Sequence, residues 1–473
     1  MTDQLAKSLA NDPKSGYIIA PAGFGKTYLI AESVKHCEGR QLILTHTFAG
    51  IDSIKTKLAN QNVPSSHYHI DTIASFALKW VHGYPVNADW TMDEPQTAQD
   101  WKSLYQKTTV LFSKSFVQMV FKSSYSGVFV DEYQDCSLVQ HVLVNKLVEL
   151  RPTRLIGDPL QAIFDFGDGV VDWEKSIKPH FDELGALTVP WRWKLSGAES
   201  LGEWLFEIRD LISNGKIPNA PRGLKGFNHI HHDLDDSKDQ SRLTEFRRLG
   251  REEGRCIVVF PGDGEYKNKT HILSKCLSGI FTSIEEVEGK SLNRNIDKLI
   301  KAITHSEKLV IVISFAKLCM TSIGTLLPKA TIEGRNAKIN KRTNLPLLVL
   351  AANTYLVSGD ITQLIELLRG LSKHTKTNVY RRDLFSRFIS VLSYAKKVPL
   401  DEAIKRYKQD FRHLGRPIRM SNQIGTTLLV KGLEYEHCIV AHPTKMSAKE
   451  FYVALTRGTQ SITVISQPDA KVT

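Results

Sequence analysis

No stretch of this 473-residue chain is apolar for long enough to cross a bilayer as a helix. Its longest apolar runs, such as Leu345-Pro346-Leu347-Leu348-Val349-Leu350-Ala351-Ala352, fall short of the roughly 18–20 residues that a span needs. The first residues, Met-Thr-Asp-Gln-Leu-Ala-Lys, carry no apolar signal core. The expectation is a soluble, cytoplasmic protein with no membrane partner. Cysteine is scarce: six residues at 37, 136, 256, 276, 319 and 438, none in a C-x-x-C arrangement. That scatter argues against a disulfide frame, a metal frame or a four-cysteine iron–sulfur cluster, and for reduced, mostly buried thiols. Internal repeats, low-complexity tracts and nuclease motifs are also missing. Acidic residues are outnumbered, 50 against 62 basic ones, for a net charge of +12 and a pI near 9.2. This balance suits a polyanionic partner. Clusters such as Arg247-Arg248, Arg251, Lys341-Arg342, Arg381-Arg382 and Lys396-Lys397 could line a phosphate track or form solvated helix faces.

What the chain does have begins at Ala20-Pro21-Ala22-Gly23-Phe24-Gly25-Lys26-Thr27, directly after the apolar Tyr17-Ile18-Ile19. A glycine-bearing loop between a buried strand and a helix turns its backbone N–H groups toward phosphates. Lys26 can then reach the β/γ oxygens, and the Thr27 hydroxyl can hold Mg²⁺. Ala20 stands where the strict pattern has its first glycine, so the loop fits the relaxed spacing. A hundred residues on, the strand Val128-Phe129-Val130 delivers Asp131 and Glu132 at its C-terminal end, where ligands of open α/β sheets bind. Asp131 is suited to hold Mg²⁺ through water and Glu132 to polarise the attacking water. A third strand runs into Gly157-Asp158-Pro159-Leu160-Gln161, with Gln161 able to sense a γ-phosphate and Phe164 and Phe166 offering rings to bases.

"APAGFGKT", "VDEYQD" and "GDPLQAIF" resemble the first three ATPase motifs of the UvrD/Rep-like superfamily 1 DNA helicases. "VPWRW" (189–193) resembles motif IV, which implies Arg192 at the γ-phosphate and Trp191 stacked on adenine. "TTLLVKGLEYEHCIV" (426–440) resembles motif V, implying nucleotide contacts for Gly432 and Glu434. "EFYVALTRGTQSITVI" (450–465) resembles motif VI, with Arg457 as a second arginine finger. Gln4 lies where the adenine-reading glutamine is expected, and Tyr28 joins Ala22, Gly23, Phe24, Gly25, Lys26 and Thr27 in the nucleotide set. Segments 44–58 and 71–77 resemble motifs Ia and Ib, which line the DNA track. The implied DNA contacts are Thr47, Phe48, Thr72, Phe164, Phe166 and Thr427.

The fold class expected is α/β, with two RecA-like parallel-sheet cores. The first core spans 1–180, with strands near 17–20, 41–45, 128–131 and 154–157 and a helix at 26–36. It carries a small 1B-like insertion at about 78–126, whose Trp80, Trp90 and Trp101 read as helix-packing anchors. The second core takes 181–290 and 416–473, with a helix at 195–213, a strand at 256–260 and a helix near 267–278. His231-His232-Asp233 reads as a surface loop rather than a metal site. Residues 291–415 form a helical, 2B-like insertion with apolar residues at 3–4 spacing. The resemblance implies ATP and Mg²⁺ as cofactors, a cleft between cores closed by Arg192 and Arg457 from the second, and 3′→5′ movement on single-stranded or tailed DNA. Several polar DNA contacts of the family are absent: Phe48-Ala49, Gly167 and Leu428 stand in their places. Weak unwinding by the isolated chain is therefore expected, and a protein partner such as a nuclease. A DNA- or nucleotide-sensing regulatory ATPase is the alternative reading. Small UvrD-like proteins of this kind also resemble helicase-like subunits of anti-phage systems such as Gabija.

Overall fold

Short Val- and Ile-rich runs ending in glycine or a polar turn, each followed by a longer amphipathic stretch, make parallel strands joined by helices. The computed structural model describes residues 2–164, 169–232, 240–285, 289–414 and 421–466. Two compact units divide them, Met1–Pro218 and Asn219–Thr473.

The sheet of the first unit contains β1 (Gly16–Ile19), β2 (Gln41–Thr45), β3 (Tyr68–Thr72), β4 (Gly127–Val130), β5 (Thr153–Gly157) and β6 (Asp182–Ala186) in the order β3-β2-β4-β5-β1-β6. Every pairing is parallel. The inner strands β2, β4 and β5 are buried along their whole length, as a sheet covered on both faces requires. The second unit repeats this with β7 (Phe227–His231), β8 (Cys256–Phe260), β9 (Phe281–Ser283), β10 (Asn422–Thr426), β11 (Tyr435–Ala441) and β12 (Gly458–Ser466), ordered β7-β12-β11-β8-β10-β9. Its pairings are parallel too. The expected fold class, α/β with two parallel-sheet cores, is what the structure has.

In the first sheet two strands escaped the sequence pattern. Tyr68–Thr72 and Asp182–Ala186 are the outer strands of the first sheet, half-solvated and too polar to make an apolar run. Because β6 pairs with β1, residues 181–218 lie in the first unit, and the boundary expected at 180/181 falls after Pro218 instead. The single helix expected over 195–213 is three, Trp191–Leu195, Glu199–Glu207 and Arg209–Ser213, with Gly197 at φ 74° in the first break. His231, read as loop, ends β7, and its Nδ1 and His229 Nε2 both meet Ser466 Oγ; Asp233 lies outside the described residues.

The 78–126 segment is helical, with Ala98–Leu111 and Ser115–Ser124 packed on the first core. Its tryptophans are packing anchors: Trp90 is buried, while Trp80 and Trp101 lean on the core, Trp80 at 4.8 Å from the Phe112 ring. Between β9 and β10 the chain forms helices around a core of their own, including Leu309, Leu368 and the stacked pair Phe315–Phe388 at 3.7 Å. A buried ion pair ties this insertion to the loop after β9: Arg381 donates two 2.6 Å hydrogen bonds to Glu285.

Candidate active site

The chain leaves β1 at Ile19 and must turn sharply to start the helix Lys26–His36. Gly25, at φ 94°, caps that helix in a left-handed conformation that an L side chain adopts only under strain. Gly23, at φ 77°, has a second constraint: a Cβ there would lie 2.7 Å from Trp193 and 2.9 Å from Arg192 Cβ. The loop is therefore both bent and roofed by residues 191–193.

β4 ends beside β5, and Asp131 follows it on the same rim. The Lys26 ammonium lies 2.6 Å from Asp131 Oδ1 and also contacts the Glu132 carboxylate. Burial alone would lower the Lys26 pKa, but the Asp131 and Glu132 charges outweigh it and hold the ammonium above its ordinary value. Burial pushes the Asp131 carboxyl up, against the pull of Lys26. Lys26 Nζ and Asp131 Oδ1 are close in distance, but each is buried without an aligned hydrogen-bond partner. A phosphate oxygen on the lysine and a divalent cation on the carboxylate would satisfy both, so the residues present fit a Mg²⁺–nucleotide. Thr27, half-buried in the first turn, is available to the same cation.

Glu132 is held at φ 54°, a backbone state that costs a non-glycine residue about 1 kcal/mol or more. Its carboxylate accepts a hydrogen bond from Gln134 Nε2, and Gln134 Oε1 in turn accepts from the Asp158 N–H at 3.0 Å. Asp158 is the hub. Its carboxylate accepts from Ala22 N (3.2 Å), Gln161 Nε2 (3.1 Å) and both terminal nitrogens of Arg209 (3.1 and 2.9 Å). Asp158, Arg209 and Gln134 were not singled out from sequence. Asp158 and Gln134 were visible inside "GDPLQ" and "VDEYQD"; Arg209 had no periodic or motif signal.

The cradle is narrower than the sequence implied. The Ala22 amide is engaged by Asp158, and the Phe24 amide donates to Pro21 O at 3.1 Å. The Phe24 ring is buried between Trp193 and Phe206, so it offers a ligand no side-chain surface. The amides of Lys26 and Thr27, in the helix's first turn, have no intrahelical partner and can serve phosphates. Tyr28 donates to Asp3 across the helix pair Thr2–Asn11 and Lys26–His36, and Gln4 is exposed on the first of these.

Arg192 and Trp191 belong to the first unit, not to the second core expected to supply them. The cause is β6: the chain follows it along β1 and crosses the loop, where Arg192 N donates to Gly23 O at 2.9 Å. Trp191 is partly exposed, with its Cδ1 3.3 Å from where a Cβ on Gly25 would sit. The Arg192 guanidinium lies 5.4 Å from the Trp193 ring centroid.

The expected DNA contacts separate into groups. Thr47 and Thr72 cap the helices Phe48–Asn60 and Ile73–Gly83, accepting from Gly50 N and Ser75 N. They share one sheet edge, since Thr45 pairs with Thr72. Phe48 and Phe164 are half-buried, while Phe166 and Gly167 lie outside the described residues. Thr427 is wholly buried in the second unit and donates to Glu450 Oε1 at 3.0 Å, so its hydroxyl does not face a strand of DNA. In that unit Gly432, at φ 80°, and Glu434 form an exposed turn before β11. Arg457 is buried, donating to Val453 O (2.8 Å), Leu433 O (3.0 Å) and Thr456 Oγ1 (2.8 Å). All six cysteines are free thiols, and Cys276 alone is exposed.

Residues 92–182, which hold Asp131, Glu132, Asp158 and Gln161, match the UvrD/REP helicase N-terminal domain family. Over 223 residues, 43% of the chain, the sequence is 24% identical to an ATP-dependent helicase/nuclease subunit from Syntrophomonas wolfei subsp. wolfei (strain DSM 2245B / Goettingen), of which it covers 16%. The solved Escherichia coli DEAH/RHA helicase HrpB aligns over 64% of this chain and 32% of its own, at 12% identity and a TM-score of 0.32, a likeness too distant to carry an inference. The chain thus spans well under half the length of either protein. The family match over residues 92–182, with the motif resemblance on either side of it, makes this chain similar to the UvrD-like superfamily 1 helicases.

Proposed function

We propose that the chain is an ATP-dependent translocase or helicase on single-stranded DNA, moving 3′→5′, with its hydrolytic centre at Lys26, Asp131 and Glu132. The observation that carries this is the buried lysine bridging two carboxylates at the mouth of a glycine loop. Lys26 exchanges its carboxylate partners for the β/γ oxygens of ATP. Asp131 and Thr27 would hold Mg²⁺, which would supply charge neutralisation at the phosphates. Glu132, partly open to solvent, accepts the proton of a water whose oxygen forms the new bond to the γ-phosphorus. The bond to the β-phosphate bridging oxygen breaks, leaving ADP and phosphate. Gln161 and Ala22, both on Asp158, couple the state of that site to Arg209. Arg192 and Arg457 serve the anionic transition state, the latter after giving up carbonyl partners. Trp191 and Gln4 take the adenine.

Thr47, Phe48 and Phe164 are proposed to hold the strand; Thr72 is buried, with its hydroxyl engaged by Ser75, and is left out. With aromatic rather than polar contacts, affinity should be modest and salt-sensitive, and unwinding by the chain alone weak. A nuclease partner is proposed by analogy with the name of the Syntrophomonas protein. The test is the ATPase rate with and without a single-stranded oligonucleotide. Stimulation is expected; a rate indifferent to DNA argues for a nucleotide sensor rather than a motor.

A further inference from the structure

The helix Pro346–Ser358 has no charged residue in its thirteen positions. One face is explained: Val349, Ala352 and Tyr355 are buried in the core of the helical insertion. The opposite face is not. Leu347 is 78% exposed, Leu350 51% and Val357 80%, with Thr354 exposed between them. Positions 347, 350, 354 and 357 follow the 3-4-3 spacing of a helix-pairing seam. A surface helix of a soluble domain ordinarily turns a charged or polar face to water, and a contiguous apolar strip marks an interaction site.

Neighbouring segments extend the strip and give it a charge. The segment before the helix runs beside it, because Ala337 N and O both bond the Asn353 side chain at 3.0 and 2.9 Å. This brings exposed Ile339 and Lys338 alongside, with Lys341 and Arg342 near the helix's start. At the other end His305 bonds Leu356 O, which places Ile303, 88% exposed, and Lys301 nearby. Lys301, Lys338, Lys341 and Arg342 have no acidic partner among the described residues; the nearby acids are engaged elsewhere, Glu333 with Lys329 and Arg335, Glu307 with the Ile303 and Thr304 N–H groups, and Asp360 with Thr362 N.

We infer that this face docks a helix of a partner protein whose apolar seam is flanked by Asp and Glu. A second copy of the chain would set the basic rims against each other, and DNA would gain nothing from Leu347, Leu350 and Val357. The inference is independent of the ATPase reading, since none of these residues belongs to that site.

The test uses the full chain and two stapled helical peptides, each with leucines at 3-4 spacing, one flanked by Glu and one by Lys. Fluorescence anisotropy should show the Glu-flanked peptide binding at least about tenfold tighter, weakening with salt. Val357→Glu and Leu350→Glu should each cost about tenfold or more in that affinity. Their melting temperature and ATPase rate should stay at wild-type values, because the side chains are exposed. Equal binding of the two peptides, or indifference to Val357→Glu, overturns the proposal. So does a wild-type dimer that Val357→Glu dissolves, or an oligonucleotide that displaces the peptide.

Discussion

The rims of the two sheets carry motif residues of the same types and use them differently. In the first unit the functional side chains bind one another: Lys26 with Asp131 and Glu132, and Asp158 with Gln161 and Arg209. In the second, the corresponding residues are tied to their own chain. Arg457 is spent on the Val453 and Leu433 carbonyls, and Thr427 on Glu450. Under the proposed function, a polyphosphate entering the first site would exchange one set of ion pairs for another. Recruiting Arg457 requires breaking hydrogen bonds that also hold a turn together. Occupying a motif position therefore does not fix how ready a residue is to act.

The sharpest way to break this contrast is Lys26→Ala. Turnover should fall by about a hundred- to a thousandfold, the range for removing one transition-state donor. Residual rates near wild type would mean that the pairing with Asp131 and Glu132 is structural. Asp158→Ala comes next. It removes the carboxylate that neutralises half-buried Arg209, which should cost about 3 kcal/mol of stability, read from denaturant unfolding, along with turnover. If Arg457 is held as described, Arg457→Met should destabilise by about 2 kcal/mol in addition to slowing hydrolysis, because buried carbonyls lose their donor. A purely kinetic defect would show that those bonds contribute nothing.

A smaller effect should appear with pH in the second unit. Burial, then Arg381 and Lys267, lower the His271 pKa to about 3. The folded chain keeps this imidazole neutral, whereas the unfolded chain protonates it near pH 6.5. Its contribution is fully present above about pH 6.5 and is lost as pH falls toward 3. His271→Gln should flatten the stability–pH curve across that window by about 1–2 kcal/mol. An unchanged slope would point to other groups. The smallest expected change in stability is that of Glu132→Gly, which relieves the φ 54° conformation but removes one carboxylate from Lys26, so stability should stay within about 1 kcal/mol while catalysis ends.

Much of the architecture was legible because inner parallel strands are uninterrupted apolar runs. Val128-Phe129-Val130 and Cys256-Ile257-Val258-Val259-Phe260 fall where their hydrophobicity put them. The same physics made Lys26, Asp131, Glu132 and Gln161 legible as a group, since a parallel sheet gathers the residues after its strands on one edge. Outer strands bury little and need no such run. Asp182-Glu183-Leu184-Gly185-Ala186 was therefore missed, and with it the unit to which Arg192 and Trp191 belong. Arg209 meets Asp158 across 51 positions of sequence, a pairing no local pattern records. The burial of Thr427 depends on Glu450, 23 residues later, and was equally unreadable.

The account stands or falls on whether Glu132 activates water at the site Lys26 shapes. Glu132→Gln keeps the size of the side chain and removes its basicity. Nucleotide binding and phosphate release should be measured in the same preparation, in a single turnover with excess enzyme. The expected result is ATP bound within a few-fold of wild-type affinity and retained uncleaved. Phosphate released at close to the wild-type rate would contradict the assignment and move the chemistry elsewhere in the molecule.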